Sequence, residues 1–208
     1  MKKKIDSLYI HFPFCRHLCN YCDFYKKIPN SSDDFSAFET LLLKMFTTHN
    51  KMMLDKGYSW EKLKTLYIGG GTPSLWGERG ATFIKENLKK FGISYDSDDI
   101  EFTLEVNPGS WNEEAIGAWS SIGVNRFSVG LQSLDQDYIK ALDRVHTLSD
   151  AMSTLEFFQK GNYNFSVDFM LGLPQLPGAS KRNIIKELDE IMSFGPNHIS
   201  LYILTTKK

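Results

Sequence analysis

The chain has 208 residues, 42% of them hydrophobic and 24% charged, and a net charge of −1. That profile describes a globular domain with its own core, and it excludes a disordered chain or a disulfide-stapled miniprotein. So even a charge balance removes any bulk electrostatic case for nucleic acid or an anionic membrane, and no nucleic-acid partner is expected.

The basic start MKKK is not followed by an apolar h-region, and the apolar run 199–204 is far too short to cross a bilayer. No secretory signal or transmembrane segment is read, and the expected location is cytoplasmic, where thiols stay reduced.

The first strand is read at LYIHF (8–12), and the loop after it holds all three cysteines, Cys15, Cys19 and Cys22, spaced C-x3-C-x2-C. In a reducing compartment this spacing argues for metal rather than a disulfide, which would leave one thiol over. Two metal readings stay open at this point. Zinc wants a fourth ligand, which His11 or His17 could supply. A 4Fe–4S cluster held by three thiolates keeps one iron open for a substrate or cofactor.

A helix follows over 33–54, with Phe35, Phe38, Leu41, Leu42, Met45 and Phe46 at helical spacing after a Ser31-x-x-Asp34 start signal. The second strand, TLYIGG (65–70), runs into GGGTP (69–73). Glycines let a backbone approach a ligand and offer unobstructed N–H donors. This loop is neither a Walker loop nor a dinucleotide fingerprint. It reads either as a tight turn or as a cradle for an amino acid's ammonium or carboxylate. A helix fits 77–91.

The third strand, IEFTLEV (100–106), ends in LEVNPG with Glu105 on its polar face. Glu105 could accept from ribose hydroxyls or an ammonium, or pair with Arg126 or Arg144. Ser110 and Glu113 form a capping-box pattern for the next helix. The fourth strand, NRFSVGL (125–131), leads to Gln132. Arg144 reads as a partner for a ligand carboxylate or a solvated helix-end charge, and His146 as a surface histidine. A helix starts at Thr147–Asp150 and stops at Gly161. The fifth strand, NFSVDFML (164–171), carries Asp168. A last helix is read from Ser180 to Gly195-Pro196, before the strand HISLYIL (198–204). The Trp and Met residues at helical spacings are read as core.

Read with period two, every strand has one apolar face, such as Ile100, Phe102, Leu104 and Val106, or Leu201 and Ile203. The other face is polar or small: Tyr9, His11, Tyr67, Thr103, Glu105, Ser128, Gln132, Ser166, Asp168, Ser200 and Tyr202. A closed barrel fills its lumen with Val, Ile and Leu. The expected fold is therefore α/β, a partial six-stranded (β/α)6 TIM-type barrel of parallel strands, open and holding a polar ligand. An antiparallel sheet with one wet face is the alternative, which helices between all the strands disfavour.

Taken together, LYIHFPFCRHLCNYCDF, GGGTPS, LEVNPG, VNRFSVGLQS, ALDRVH, VDFMLGLP and HISLYIL resemble the radical S-adenosylmethionine (SAM) superfamily. More narrowly they resemble the oxygen-independent coproporphyrinogen III oxidase family and its HemW-type haem chaperone branch. The resemblance implies a radical SAM core over residues 1–208, without the family's C-terminal domain. It implies that Cys15, Cys19 and Cys22 bind a 4Fe–4S cluster and that SAM chelates the open iron, to be cleaved to a 5'-deoxyadenosyl radical. Tyr9, Gly70, Gly71, Thr72, Glu105, Gln132, Arg144 and Asp168 are implied as cofactor contacts, with Thr205 a weaker match. Oxidases resemble C-x3-C-x2-C-x-C, whereas Phe24 stands at the fourth cysteine's place here. They also carry a longer arm before the first strand. Both departures favour the chaperone branch, with haem or porphyrin, haemoprotein clients and an electron donor as partners. The alternative is the oxidase, performing radical oxidative decarboxylation in porphyrin biosynthesis. Whether the chain is an enzyme stays open.

Overall fold

The computed structural model describes residues 3–96, 99–178 and 181–204. Its elements run β1 (Lys3–Phe12), α1 (Ser32–Asp55), β2 (Tyr58–Gly70), a 3-10 turn (Pro73–Trp76), α2 (Gly77–Asn87), a second 3-10 turn (Leu88–Phe91) and β3 (Glu101–Val106). They continue with α3 (Glu113–Ser121), β4 (Arg126–Gln132), α4 (Gln136–Ala141), α5 (Leu148–Lys160), β5 (Phe165–Leu171), α6 (Ile184–Ser193) and β6 (His198–Ile203). The six strands form one sheet in the order β1-β2-β3-β4-β5-β6, every neighbouring pair parallel. Each crossover carries helix, so the sheet curls into the expected half-barrel and all strand C-termini open on one end.

Register turns the polar face into layers. Tyr9 stands beside Tyr67, Tyr67 beside Thr103, and Thr103 beside Arg126. Nearer the open end, Glu105 stands beside Ser128 and Asp168 beside Ser200. Arg126 closes the lower lumen by donating to Thr103 Oγ1 (3.3 Å) and Ser166 Oγ (3.0 Å). The opposite face is the core, where Ile10, Phe12, Leu66, Ile68, Phe102, Leu104, Phe127, Val129, Phe165 and Val167 are fully buried beneath the helices.

β1 and β2 begin earlier than read, because Lys3 and Lys4 pair with Tyr58 and Ser59 ahead of a register shift between Ile5 and Ser7. The charges Glu61, Lys62 and Lys64 hide that first half of β2 from a hydrophobic pattern. α3 is capped by Asn112, whose side chain accepts from Ala115 N at 2.8 Å. Ser110 is instead buried, donating to Asn107 O and touching Ser74 Oγ, each at 2.6 Å. The Ser180 start signal lies outside the described residues, and Asn183 caps α6. The short α4 was not anticipated. Leu201 and Ile203, placed on the covered face, are 54% and 71% exposed on the edge strand β6, of whose apolar face Ile199 packs against the core.

Candidate cofactor site

The cysteine loop is closed at its base. Cys15 N donates to Lys27 O (3.0 Å) and Lys27 N to Pro13 O (2.8 Å), with Phe14 fully buried beneath. Cys15 is buried, Cys19 and Cys22 are half-buried, and all three are free thiols. They line a small cavity with Tyr21, Gly71, Thr72, Asn107, Arg144 and His146. Burial pushes the thiols of Cys15 and Cys19 up; a Thr72 hydrogen bond opposes this at Cys15, as does the Arg144 charge at Cys19. Without a bound cation these thiols hold their protons at neutral pH, and a metal's charge is what inverts that preference.

The structure also bears on which metal the thiols suit. His11 is committed elsewhere: Nε2 donates to Tyr25 O (2.8 Å), so Nδ1 accepts from Tyr9 Oη (3.0 Å). His17 Nε2 lies 2.8 Å from Asp143 Oδ2, within ion-pair range. The three free thiols line a cavity that adjoins the lumen, a donor set that fits a 4Fe–4S cluster held by three thiolates.

The glycine loop works differently from its sequence reading. Gly71 N donates to Phe12 O (2.7 Å), Thr72 N to Phe14 O (2.8 Å) and Gly70 N to Glu105 Oε2 (2.9 Å). These amides are spent inside the protein, so the loop suits an ammonium seeking carbonyl acceptors better than a carboxylate. Glycine is needed for two distinct reasons. Gly70 has φ +118°, and a Cβ on Gly71 would lie 2.6 Å from Phe14 O.

A larger cavity of about 330 Å³ fills the upper lumen. Gly70, Gly71, Glu105, Gln132, Arg144 and Asp168 all line it. It shares Tyr21, Cys22, Gly71, Asn107 and Arg144 with the cysteine cavity, so the two are contiguous. Glu105 pairs with neither arginine; it accepts from Tyr67 Oη (2.8 Å) and Gly70 N. Burial pushes both Glu105 and Asp168 above the usual carboxylate range, against their own hydrogen bonds from Tyr67 and Gly70 and from Ser200 and Ser128. Two raised carboxylates in one cavity are relieved by a cationic ligand or by hydroxyl donors, and SAM carries a sulfonium, an ammonium and a ribose diol.

Arg144 is the hub between the cavities. It donates to Tyr21 Oη (3.2 Å), Asn107 Oδ1 (3.0 Å) and Gly130 O (2.5 Å), and is no solvated helix-end charge. Its Nε also donates to His146 Nδ1 (3.3 Å). His146 is buried, against the surface reading, and burial, reinforced by Arg144, pushes it down to about 3. Tyr9 is not brought into either cavity. It is half exposed, one layer below, where it donates to His11 and packs against the neighbouring Tyr67 ring. Thr205 lies outside the described residues.

Sequence reasoning assigned no role to Tyr21, Asn107 or Tyr67. Asn107 bridges Thr72 Oγ1 (3.0 Å) and Arg144. Tyr67 was legible as a lumen residue from its period-two position, and Asn107 stands within the quoted LEVNPG. Tyr21 carried no such signal.

Comparison with known proteins agrees with this geometry. Residues 9–188 match the model of the Radical SAM superfamily. A protein named heme chaperone HemW, from Haemophilus influenzae, is 34% identical over 96% of this chain and 51% of its own length. A zebrafish (Danio rerio) protein, named radical S-adenosyl methionine domain-containing protein 1, mitochondrial, is 36% identical over 97% of this chain and 43% of its own. The chain thus spans about half the length of the curated relatives it matches. Among solved structures, the Escherichia coli coproporphyrinogen III oxidase HemN shares the fold, with a TM-score of 0.80 at 20% identity over 98% of this chain and 44% of that one.

Proposed function

Because the chain belongs to the Radical SAM superfamily, we propose that Cys15, Cys19 and Cys22 hold a 4Fe–4S cluster and that SAM binds across the shared boundary of the two cavities. When bound, the cluster supplies a low-potential electron and an open iron. The protein's own residues then do the holding. Glu105 and Asp168 accept from hydroxyl or cationic groups of SAM, the Gly70–Thr72 backbone faces its ammonium, and Arg144 carries the charge complementary to a carboxylate. Gln132 supplies an amide from the far wall. Tyr9 acts from below, through His11, on the floor of the site. Residues 1–208 form the radical SAM core in this reading.

The whole protein's role is proposed as that of a HemW-type haem chaperone, acting in the cytoplasm on haem or porphyrin, with haemoprotein clients and an electron donor. Among the described residues no helix is long and apolar enough to cross a membrane. The observation carrying the chaperone reading is the 32–34% identity to proteins of that name over 96% of the chain. It is supported by Phe24 where the oxidase pattern has a fourth cysteine; Phe24 is exposed and borders the lumen cavity. The test is to reconstitute the complete protein carrying this chain anaerobically and supply reductant, SAM and coproporphyrinogen III, with a parallel haem titration. Saturable haem binding without vinyl product is expected. Formation of the vinyl product would overturn the reading in favour of the oxidase.

A further inference from the structure

Gln132 is an unusual place to hang a cofactor contact. It has φ +71°, in the left-handed region, and sits at a register shift between β4 and β5. That conformation costs an L residue free energy, so surrounding structure must impose it. Its Oε1 is buried without a hydrogen-bond partner among the described groups. A side chain held so awkwardly, at the wall of the lumen cavity, needs something to hold it.

The holder is a buried ion pair that the cofactor site does not otherwise use. Arg182 and Glu187 have side chains 5% and 8% exposed. Arg182 Nε donates to Glu187 Oε1 (2.5 Å) and its Nη2 to Oε2 (3.0 Å). The remaining donors reach backbone: Nη1 to Met170 O (2.7 Å) and Nη2 to Gln132 O (3.5 Å). Glu187 Oε2 in turn accepts from Ser133 Oγ (2.6 Å) and Leu134 N (2.7 Å), the residues directly after Gln132. The guanidinium packs over Tyr138 and Phe169, fixing its plane. One pair thus grips the chain at the Gln132 carbonyl and at the two residues after it, and ties it to the end of β5 and the first turn of α6. A buried ion pair is poor insurance for stability alone, because desolvation cancels much of the attraction. Fixing one backbone geometry is a better-supported use.

We infer that Arg182 and Glu187 are positioning residues that hold Gln132 in its left-handed turn, so that its side-chain amide faces SAM. The inference rests on the cofactor reading above, in which Gln132 contacts SAM. The experiment is a double-mutant cycle on the reconstituted protein, comparing Gln132→Ala, Arg182→Met and the pair. The readout is the SAM concentration giving half of the cofactor-induced EPR change, with cluster content as control. Loss of one hydrogen-bonding amide predicts a rise of about tenfold for Gln132→Ala. Arg182→Met is expected to match it with cluster content unchanged, and the double variant to be no weaker than either. Because Arg182→Met could fail to fold, Ser133→Ala and Arg182→Lys are run beside it and are expected to shift SAM binding in the same direction by less. An effect of Gln132→Ala with none from Arg182→Met or Ser133→Ala overturns the positioning role alone. Fully additive losses overturn it too, since they mean a general structural role. No effect of Gln132→Ala overturns the cofactor reading of Gln132 and takes the inference with it.

Discussion

Replacing Gly71 by alanine tests a close backbone-to-backbone approach in the site. The new Cβ would meet Phe14 O at 2.6 Å and the carbonyl carbons of Phe14 and Pro13 at 3.0 Å, where carbon atoms pack at about 3.5–4.0 Å. The obstacle is backbone, so no rotamer relieves it. Moving Gly71 away lengthens Gly71 N–H to Phe12 O and Thr72 N–H to Phe14 O, now 2.7 and 2.8 Å. Overpacking costs about 1–3 kcal/mol, and a strained hydrogen bond adds about 0.5–1.5 kcal/mol. The sum is about 1.5–4.5 kcal/mol, a fall in Tm of about 3–18 °C for a domain of this size. Phe14 directly precedes Cys15, so the displacement also moves a thiol, and iron uptake on reconstitution should fall. The assay is thermal denaturation by circular dichroism beside iron and sulfide analysis. A variant melting within about 2 °C of wild type, with full iron content, would refute the close-approach argument.

Other substitutions have clear signs. Gly117→Ala, inside α3 with open space around the new methyl, should raise stability by about 0.5–1 kcal/mol in a denaturant melt. Thr147→Ala removes a complete capping box, in which Thr147 Oγ1 accepts from Asp150 N and Asp150 accepts from Thr147 N. It should cost about 1 kcal/mol by the same measurement. Asp168→Asn should separate stability from binding. Because burial raises Asp168's pKa in the fold, the native state holds a proton that the unfolded chain has lost. Wild-type stability therefore falls as pH rises from the ordinary carboxylate pKa through the raised one, and Asn removes that slope. Thermal melts from pH 4 to pH 8 should show Asp168→Asn gaining on wild type toward neutral pH, while SAM binding weakens about tenfold or more. A variant that instead loses stability relative to wild type as pH rises would show the carboxylate to be favoured by its surroundings.

The half-barrel was legible because most of its strand positions keep a period of two, with apolar residues toward the helices and polar ones toward the lumen. The same alternation by itself puts Glu105 and Asp168 on the lumen face, where both line the cavity. What escaped the sequence depends on partners remote in the chain. His146 looks exposed on an Arg-x-His stretch, yet the turn after α4 carries it inward against Arg144. The triple glycine suggested free amide donors, but the end of β1 and Glu105 take them. Ser110 carried a plausible capping pattern, and a buried contact with Ser74 claimed it first, leaving Asn112 as the cap. The grip of Arg182 and Glu187 on the Gln132 turn spans a separation of about fifty residues, and no local pattern announces it.

The three thiols and the lumen beside them are proposed as one site for an open cluster and SAM. The most direct test is anaerobic reconstitution with iron and sulfide, then EPR of the reduced protein with and without SAM. A 4Fe–4S signal whose g-values change when SAM is added is the predicted result. A protein that assembles no cluster, or one whose signal ignores SAM, would contradict the claim.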